Sequence, residues 1–90
     1  MRRAAKVDNN HSEIVDTLRK VGASVVSLAS IGQGVPDLLA CKGDKYWLIE
    51  VKGPKGKLTD DQKRFILDWK GTVHIVRSAD DALRLVGVLA

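Results

Sequence analysis

Cysteine occurs once in this 90-residue chain, proline twice and aromatic rings four times, and each shortage excludes something. A single Cys41 cannot form an intrachain disulfide, and with only two histidines beside it the Cys/His ligand sets of structural zinc are out of reach. Cys41 falls at an apolar strand position, where a buried, unreactive thiol is expected. Two Trp, one Tyr and one Phe are too few for a platform on which several bases stack. The core must therefore come from Val, Leu, Ile and Ala. No apolar run approaches the roughly 18 residues of a membrane span. The basic Met-Arg-Arg start is not followed by the apolar stretch of a secretory signal. A cytoplasmic location, without membrane contact, is the expectation.

What remains is enough for one small domain. A chain of this size buries roughly 60–70% of the surface it exposes when unfolded, which supports a single modest core. Fifteen Lys and Arg against 11 Asp and Glu give a formal charge of +4, a lean toward anionic partners. The excess is not spread evenly. Lys52, Lys55, Lys57, Lys63 and Arg64 gather around one loop and the helix that follows it. Such a cluster is either a solvated surface or a rim that contacts phosphates.

Residues 1–10 are polar and basic, either mobile or packed against a partner. Ser12 reads as a helix N-cap, and apolar residues at 14, 15, 18 and 21 form one helical face that Gly22 ends. "ASVVSLAS" reads as a strand and "IGQGVP" as a loop broken by two glycines and a proline. "DLLAC" and "KYWLIEV" are two strands joined by a tight "KGD" turn, hence a hairpin. After the loop "GPKGKLT", Thr59 caps a helix from Asp60 whose Gln62, Phe65, Ile66 and Trp69 share a face that Gly71 ends. "VHIVR" gives a fourth strand, and Ser78 caps a last helix with apolar residues at 82, 83, 85, 86 and 89. The order α-β-β-β-α-β-α, without repeats, predicts one α/β domain over residues 1–90, a mixed sheet flanked by helices.

The chemistry gathers on the hairpin. Residues two apart on a strand point the same way, so Glu50 and Lys52 share a face while Trp47, Ile49 and Val51 take the other. Pairing about the turn at 43–44 brings Asp37 near Glu50. Two adjacent carboxylates repel unless they share a cation, and Mg²⁺ or Mn²⁺ with oxygen ligands resolves that conflict. Asp37, Glu50 and the backbone carbonyl of Val51 are the candidate ligands. Lys52 would orient or deprotonate a water, or stabilise charge building on phosphorus. This is the equipment of metal-assisted phosphodiester hydrolysis. Taken alone, Glu-x-Lys on a strand is equally a surface ion pair at a sheet edge. The Pro-Asp before it, the glycine-rich loop and the intervening hairpin favour the site.

Together, "GVPD" (34–37), "IEVK" (49–52) and "LTDDQ" (58–62) resemble the PD-(D/E)XK nuclease superfamily. Within it the chain is similar to the VRR-NUC branch, in particular its small stand-alone domains of phage type. The resemblance runs from about Val7 to Arg77. It implies a restriction-endonuclease-like α-β-β-β-α-β core and divalent-metal-dependent cleavage of DNA, with branched or flap structures preferred in related members. The cytoplasm in question would be a host's if the chain is phage-encoded. Carried over by position, Asp37 and Glu50 are the metal ligands, Lys52 the catalytic lysine and Gln62 the helix residue supporting the site. A glutamate is usual on the first helix; here Glu13 has the chemistry, whereas His11 lies on the inward stripe, and the two alternatives stand open. Lys55, Lys57, Lys63 and Arg64 are the candidate DNA contacts, Arg77 a further one, and His74 reads as structural. Val86, Val88 and Leu89 could continue an apolar surface into a second copy, making a homodimer. The rival readings are a non-catalytic nucleic-acid-binding module and a scaffold domain of the same fold.

Overall fold

The computed structural model describes residues 10–90; the basic first nine residues lie outside that range. The elements are α1 (His11–Lys20), β1 (Ser24–Ser27), β2 (Leu38–Lys42), β3 (Lys45–Val51), α2 (Asp60–Asp68), β4 (Val73–Val76) and α3 (Ala79–Leu85). They build one mixed sheet in the order β1-β2-β3-β4. The first two pairings are antiparallel, and β3 pairs with β4 in parallel, with α2 as the crossover. The α/β architecture and element order are those expected from the sequence.

Alternation along the strands divides the sheet into two unlike faces. Val25, Leu38, Ala40, Ile49, Val51 and Val76 are buried on one side. Ile14 and Leu18 of α1 and Ala82 of α3 complete this core, with Val15, Trp47, Leu85 and Val86 packed around it. The opposite face carries Glu50 and receives α2, which has no fully buried residue. Val26, Tyr46 and Ile75 on that face stay exposed. The small core is thus one-sided, and the thinly covered face is the one that carries Glu50.

Several local expectations need correction. Helix α1 begins at His11, not after Ser12, and Asn10 in the cap position makes no side-chain capping bond. The Asn10 amide is used elsewhere, across the fold. The first strand keeps only four residues, Ser24–Ser27, although Leu28 N–H still donates to Asp37 O at 2.7 Å. Cys41 is half-buried rather than sealed in the core, its Sγ 3.6 Å from Gly43 O. It occupies the α2 face, where cover is sparse. Helix α2 stops at Asp68, before Gly71, with Trp69 extended in the cap position and stacked on Phe65 at 5.1 Å. Val86 folds back onto the core, so of the three residues assigned to a partner surface only Val88 and Leu89, past the end of α3, are exposed.

The glycine-rich loop before Asp37 has a definite task. Gly34 adopts φ +79°, and a Cβ there would fall 2.2 Å from Asp61 O and 2.9 Å from Gln62 N. The loop backbone therefore lies directly against the first turn of α2, an approach only glycine permits. Gly43, at φ +66° in the hairpin turn, faces open space. The pair makes a controlled comparison. Gly43→Ala should cost about 1 kcal/mol, the strain of a left-handed alanine. Gly34→Ala adds the collision and should cost about 2–4 kcal/mol in urea unfolding. Equal losses would mean that the loop does not bear on α2.

Candidate active site

The hairpin register decides what meets. Leu38 pairs with Ile49, so Asp37 stands opposite Glu50 one step beyond. There β2 departs from the sheet, while β3 continues beside β4 through the Val51–Val76 pair. The divergence leaves the Val51 N–H without a β2 backbone partner, and a buried amide needs one. The Asp37 carboxylate supplies it: Oδ2 accepts from Val51 N at 2.9 Å. Meanwhile Asp37 O takes the Leu28 amide at 2.7 Å. The aspartate is held by its backbone on one side and by its carboxylate on the other.

Glu50 is 2% exposed, the one fully buried charged residue among those described. A carboxylate so enclosed is costly unless hydrogen-bonded and paired. Gln62 Nε2 donates to Glu50 Oε2 at 2.9 Å. Lys52 Nζ stands 3.9 Å from the same oxygen, a charge contact rather than a hydrogen bond. The lysine side chain is itself only 11% exposed. Its backbone N–H donates to Val76 O at 3.0 Å, so β3–β4 pairing extends one residue past the strand end.

Gln62 reaches Glu50 because of how α2 begins. Thr59 Oγ1 accepts from Gln62 N at 3.1 Å, and Gln62 Oε1 accepts from Thr59 N at 2.8 Å, a complete capping box. With its oxygen committed to the cap, the amide can only present its nitrogen to the glutamate. One side chain therefore closes the helix terminus and neutralises part of a buried anion. The sequence placed Gln62 on the inward face; its second bond, to the cap, had a legible signal in Thr-x-x-Gln.

The remaining candidates divide by position. His11 is half-buried and lines a cleft of about 260 Å³ between α1 and the sheet, together with Val15, Ser27 and Leu38. Its Nε2 is buried without a hydrogen-bond partner. Glu13 is exposed in the first turn of the helix. Lys55, Lys57, Lys63 and Arg64 are all exposed, the last paired with Asp61 at 3.1 Å in a surface contact of little energetic weight. Arg77 turns inward: its Nη1 donates to Gly53 O at 2.7 Å and to Gly56 O at 2.8 Å. His74 sits on the core side of β4, paired with Ile49.

Asn10 was not anticipated. Its Nδ2 donates to Lys52 O at 3.2 Å and to Arg77 O at 2.8 Å, bridging the exits of β3 and β4. The only hint in the sequence is an amide residue just ahead of a helix, which ordinarily signals an N-cap. Among the described residues there is no group of three or more His, Cys, Asp or Glu arranged to hold a metal ion. None of the described helices is long and apolar enough to cross a membrane.

Comparison with known proteins gives one finding. The family model for the VRR-NUC domain matches residues 3–78. No curated protein and no solved structure matches the chain.

The Gln62–Glu50 contact can be tested by substitution. Gln62→Glu keeps an acceptor for the Thr59 amide but sets a second carboxylate against Glu50. Without divalent cations, the variant should be about 1–3 kcal/mol less stable than the parent at neutral pH. The deficit should shrink on acidification, because protonating either carboxyl removes the repulsion. A deficit that does not change with pH would separate the two side chains.

Proposed function

Because the chain belongs to the VRR-NUC domain family, a family of nuclease domains, we propose that it is a divalent-metal-dependent deoxyribonuclease selective for branched DNA. The observation that carries this reading is the convergence of Asp37 and Glu50 at the point where β2 leaves β3, with Lys52 beside them. Fold stability alone does not call for a charge buried at that point. Replacing a buried ion pair as a whole by apolar residues of similar volume is often neutral or stabilising.

The donor set suits a hard cation. Asp37, Glu50 and the Val51 carbonyl offer oxygen only, which fits Mg²⁺ or Mn²⁺ and not the softer metals. With just two carboxylates, most of the coordination sphere falls to water and phosphate oxygens, which is the habit of magnesium. When bound, such an ion polarises a phosphoryl oxygen and makes a water more acidic. The chain's own residues do the rest. Gln62 keeps the Glu50 carboxylate in one orientation, and the Val51 N–H does the same for Asp37. Lys52 brings a positive charge to the point where an attacked phosphate accumulates negative charge. Either first-helix alternative, the half-buried His11 or the exposed Glu13, would serve as an auxiliary to these groups.

Lys55, Lys57, Lys63 and Arg64 form the phosphate-contacting rim. These are backbone contacts, which read shape and not base sequence. A four-way or flap junction has that shape, and a domain of this size touches only part of it. A homodimer joined through the exposed Val88 and Leu89 would place two sites on one junction and cut both strands.

Cleavage assays on linear, flap and four-way DNA in Mg²⁺ or Mn²⁺ test the reading directly. Junctions should be cut faster than linear duplex, and chelation or Asp37→Asn should abolish cleavage without unfolding the protein. Lys52→Ala should lower the rate roughly 10²–10³-fold while DNA binding weakens far less. Junction binding without cleavage in either metal would instead make the domain a silent binding module. Sedimentation at micromolar concentration should show twice the 9.8 kDa chain mass. A fully active 9.8 kDa species would defeat the dimer.

A further inference from the structure

Lys52 and Arg77 leave the sheet side by side, each one residue past the Val51–Val76 pair. Lys52, one residue past the end of β3, makes the last bond to β4, and the chain then enters a loop with glycines at 53 and 56. Such a loop is rich in conformational entropy, and a lysine side chain carries about 2 kcal/mol of rotamer freedom of its own. Left to itself, this junction would not hold an ammonium group at one place. Yet the Lys52 side chain is largely enclosed.

The loop encloses it. Gly56 N donates to Gly53 O at 3.1 Å, folding residues 53–56 into a turn. The returning arm lies along the lysine: a Cβ built on Gly56 would stand 3.4 Å from Lys52 Cδ. Both carbonyls of that turn, Gly53 O and Gly56 O, accept from Arg77 Nη1, at 2.7 and 2.8 Å. Bonds from a charged donor are about twice as strong as neutral ones. Arg77 is anchored in turn, its N–H donating to Asp81 Oδ2 at 3.0 Å and its carbonyl accepting from Asn10 Nδ2 at 2.8 Å. The same Asn10 nitrogen reaches Lys52 O at 3.2 Å. No carboxylate among the described residues forms an ion pair with the Arg77 guanidinium.

We propose that Arg77 is a positioning residue for Lys52: it holds the 53–56 turn against the lysine stem, while Asn10 ties the two strand exits together. The role rests on the reading of Lys52 as the residue that acts on the phosphate. It also differs from the phosphate contact that an arginine near a basic loop first suggests, because the terminal nitrogen Nη1 is committed to two carbonyls.

Two variants and two independent readouts test this. Arg77→Met keeps the aliphatic stem and removes the donors; Arg77→Lys restores one charged donor. The first readout, amide hydrogen exchange in the free protein, requires neither DNA nor metal. In Arg77→Met, exchange of the Gly56 amide, which donates to Gly53 O, should accelerate about 10- to 100-fold, the scale for losing hydrogen bonds to a charged group. Protection in β2, β3 and α1 should be unchanged. The second readout is cleavage of the preferred DNA: kcat should fall about tenfold or more with KM little altered, and Arg77→Lys should recover part of both effects. Unchanged exchange of the Gly56 amide would overturn the proposal. So would an unchanged kcat with raised KM and a shallower salt dependence, the signature of a phosphate contact. If Arg77→Met does not fold, Arg77→Lys decides, since a clamp tolerates it better than a bidentate phosphate contact does. Should the parent protein cut no DNA while the loop responds as described, the nuclease reading falls and the clamp remains.

Discussion

The register of β2 against β3 is the constraint from which the rest follows. Leu38 opposite Ile49 sends Leu38, Ala40, Ile49 and Val51 to the core and Glu50 to the other face. A slip of β3 by one residue would turn that strand over, putting a carboxylate among Ile14 and Leu18 and leaving Ile49 and Val51 in water. Burial of about 0.8 kcal/mol per methylene opposes such a slip. The turn opposes it too, because Gly43 alone of its two central residues takes a positive φ. The alignment of Asp37 with Glu50 is thus enforced by hydrophobic contacts that include neither residue.

The same register creates the electrostatic problem that the neighbouring elements resolve. A glutamate at 2% exposure needs compensation from several directions. Gln62 brings a neutral donor from the start of α2, and Lys52 brings charge from its own strand. Gly34 lets the loop pack flush against that helix start. Each device is modest, and each is local to the segment 34–62.

The hairpin and the second helix were legible because their signals are local. A two-residue turn, alternation on either side of it and a Thr-x-x-Gln cap are written in adjacent positions, and they suffice to bring Asp37, Glu50, Lys52 and Gln62 together. The bonds of Asn10 and Arg77 were not legible, for the opposite reason. An asparagine before a helix signals a cap by local logic, yet its amide bonds to backbone 42 and 67 residues away. An arginine beside a basic loop suggests phosphate, yet its acceptors are main-chain carbonyls, which leave no trace in side-chain identity. The half-open Cys41 was misjudged because cover on the α2 face depends on how closely a helix docks, which periodicity does not encode.

That division by sequence distance has a kinetic side. Contacts between near neighbours close at little entropic cost, whereas distant ones must wait for the chain ends to be brought together. The paired acids, the lysine and the glutamine all lie within one short span of chain, so they can be assembled by the hairpin and its following helix alone. The Asn10 bridge joins the first described residue to the exits of β3 and β4 and can close only when the whole sheet and α1 are in place. The contacts within the hairpin and its helix thus carry a small closure cost, whereas the Asn10 bridge carries the closure cost of nearly the whole chain.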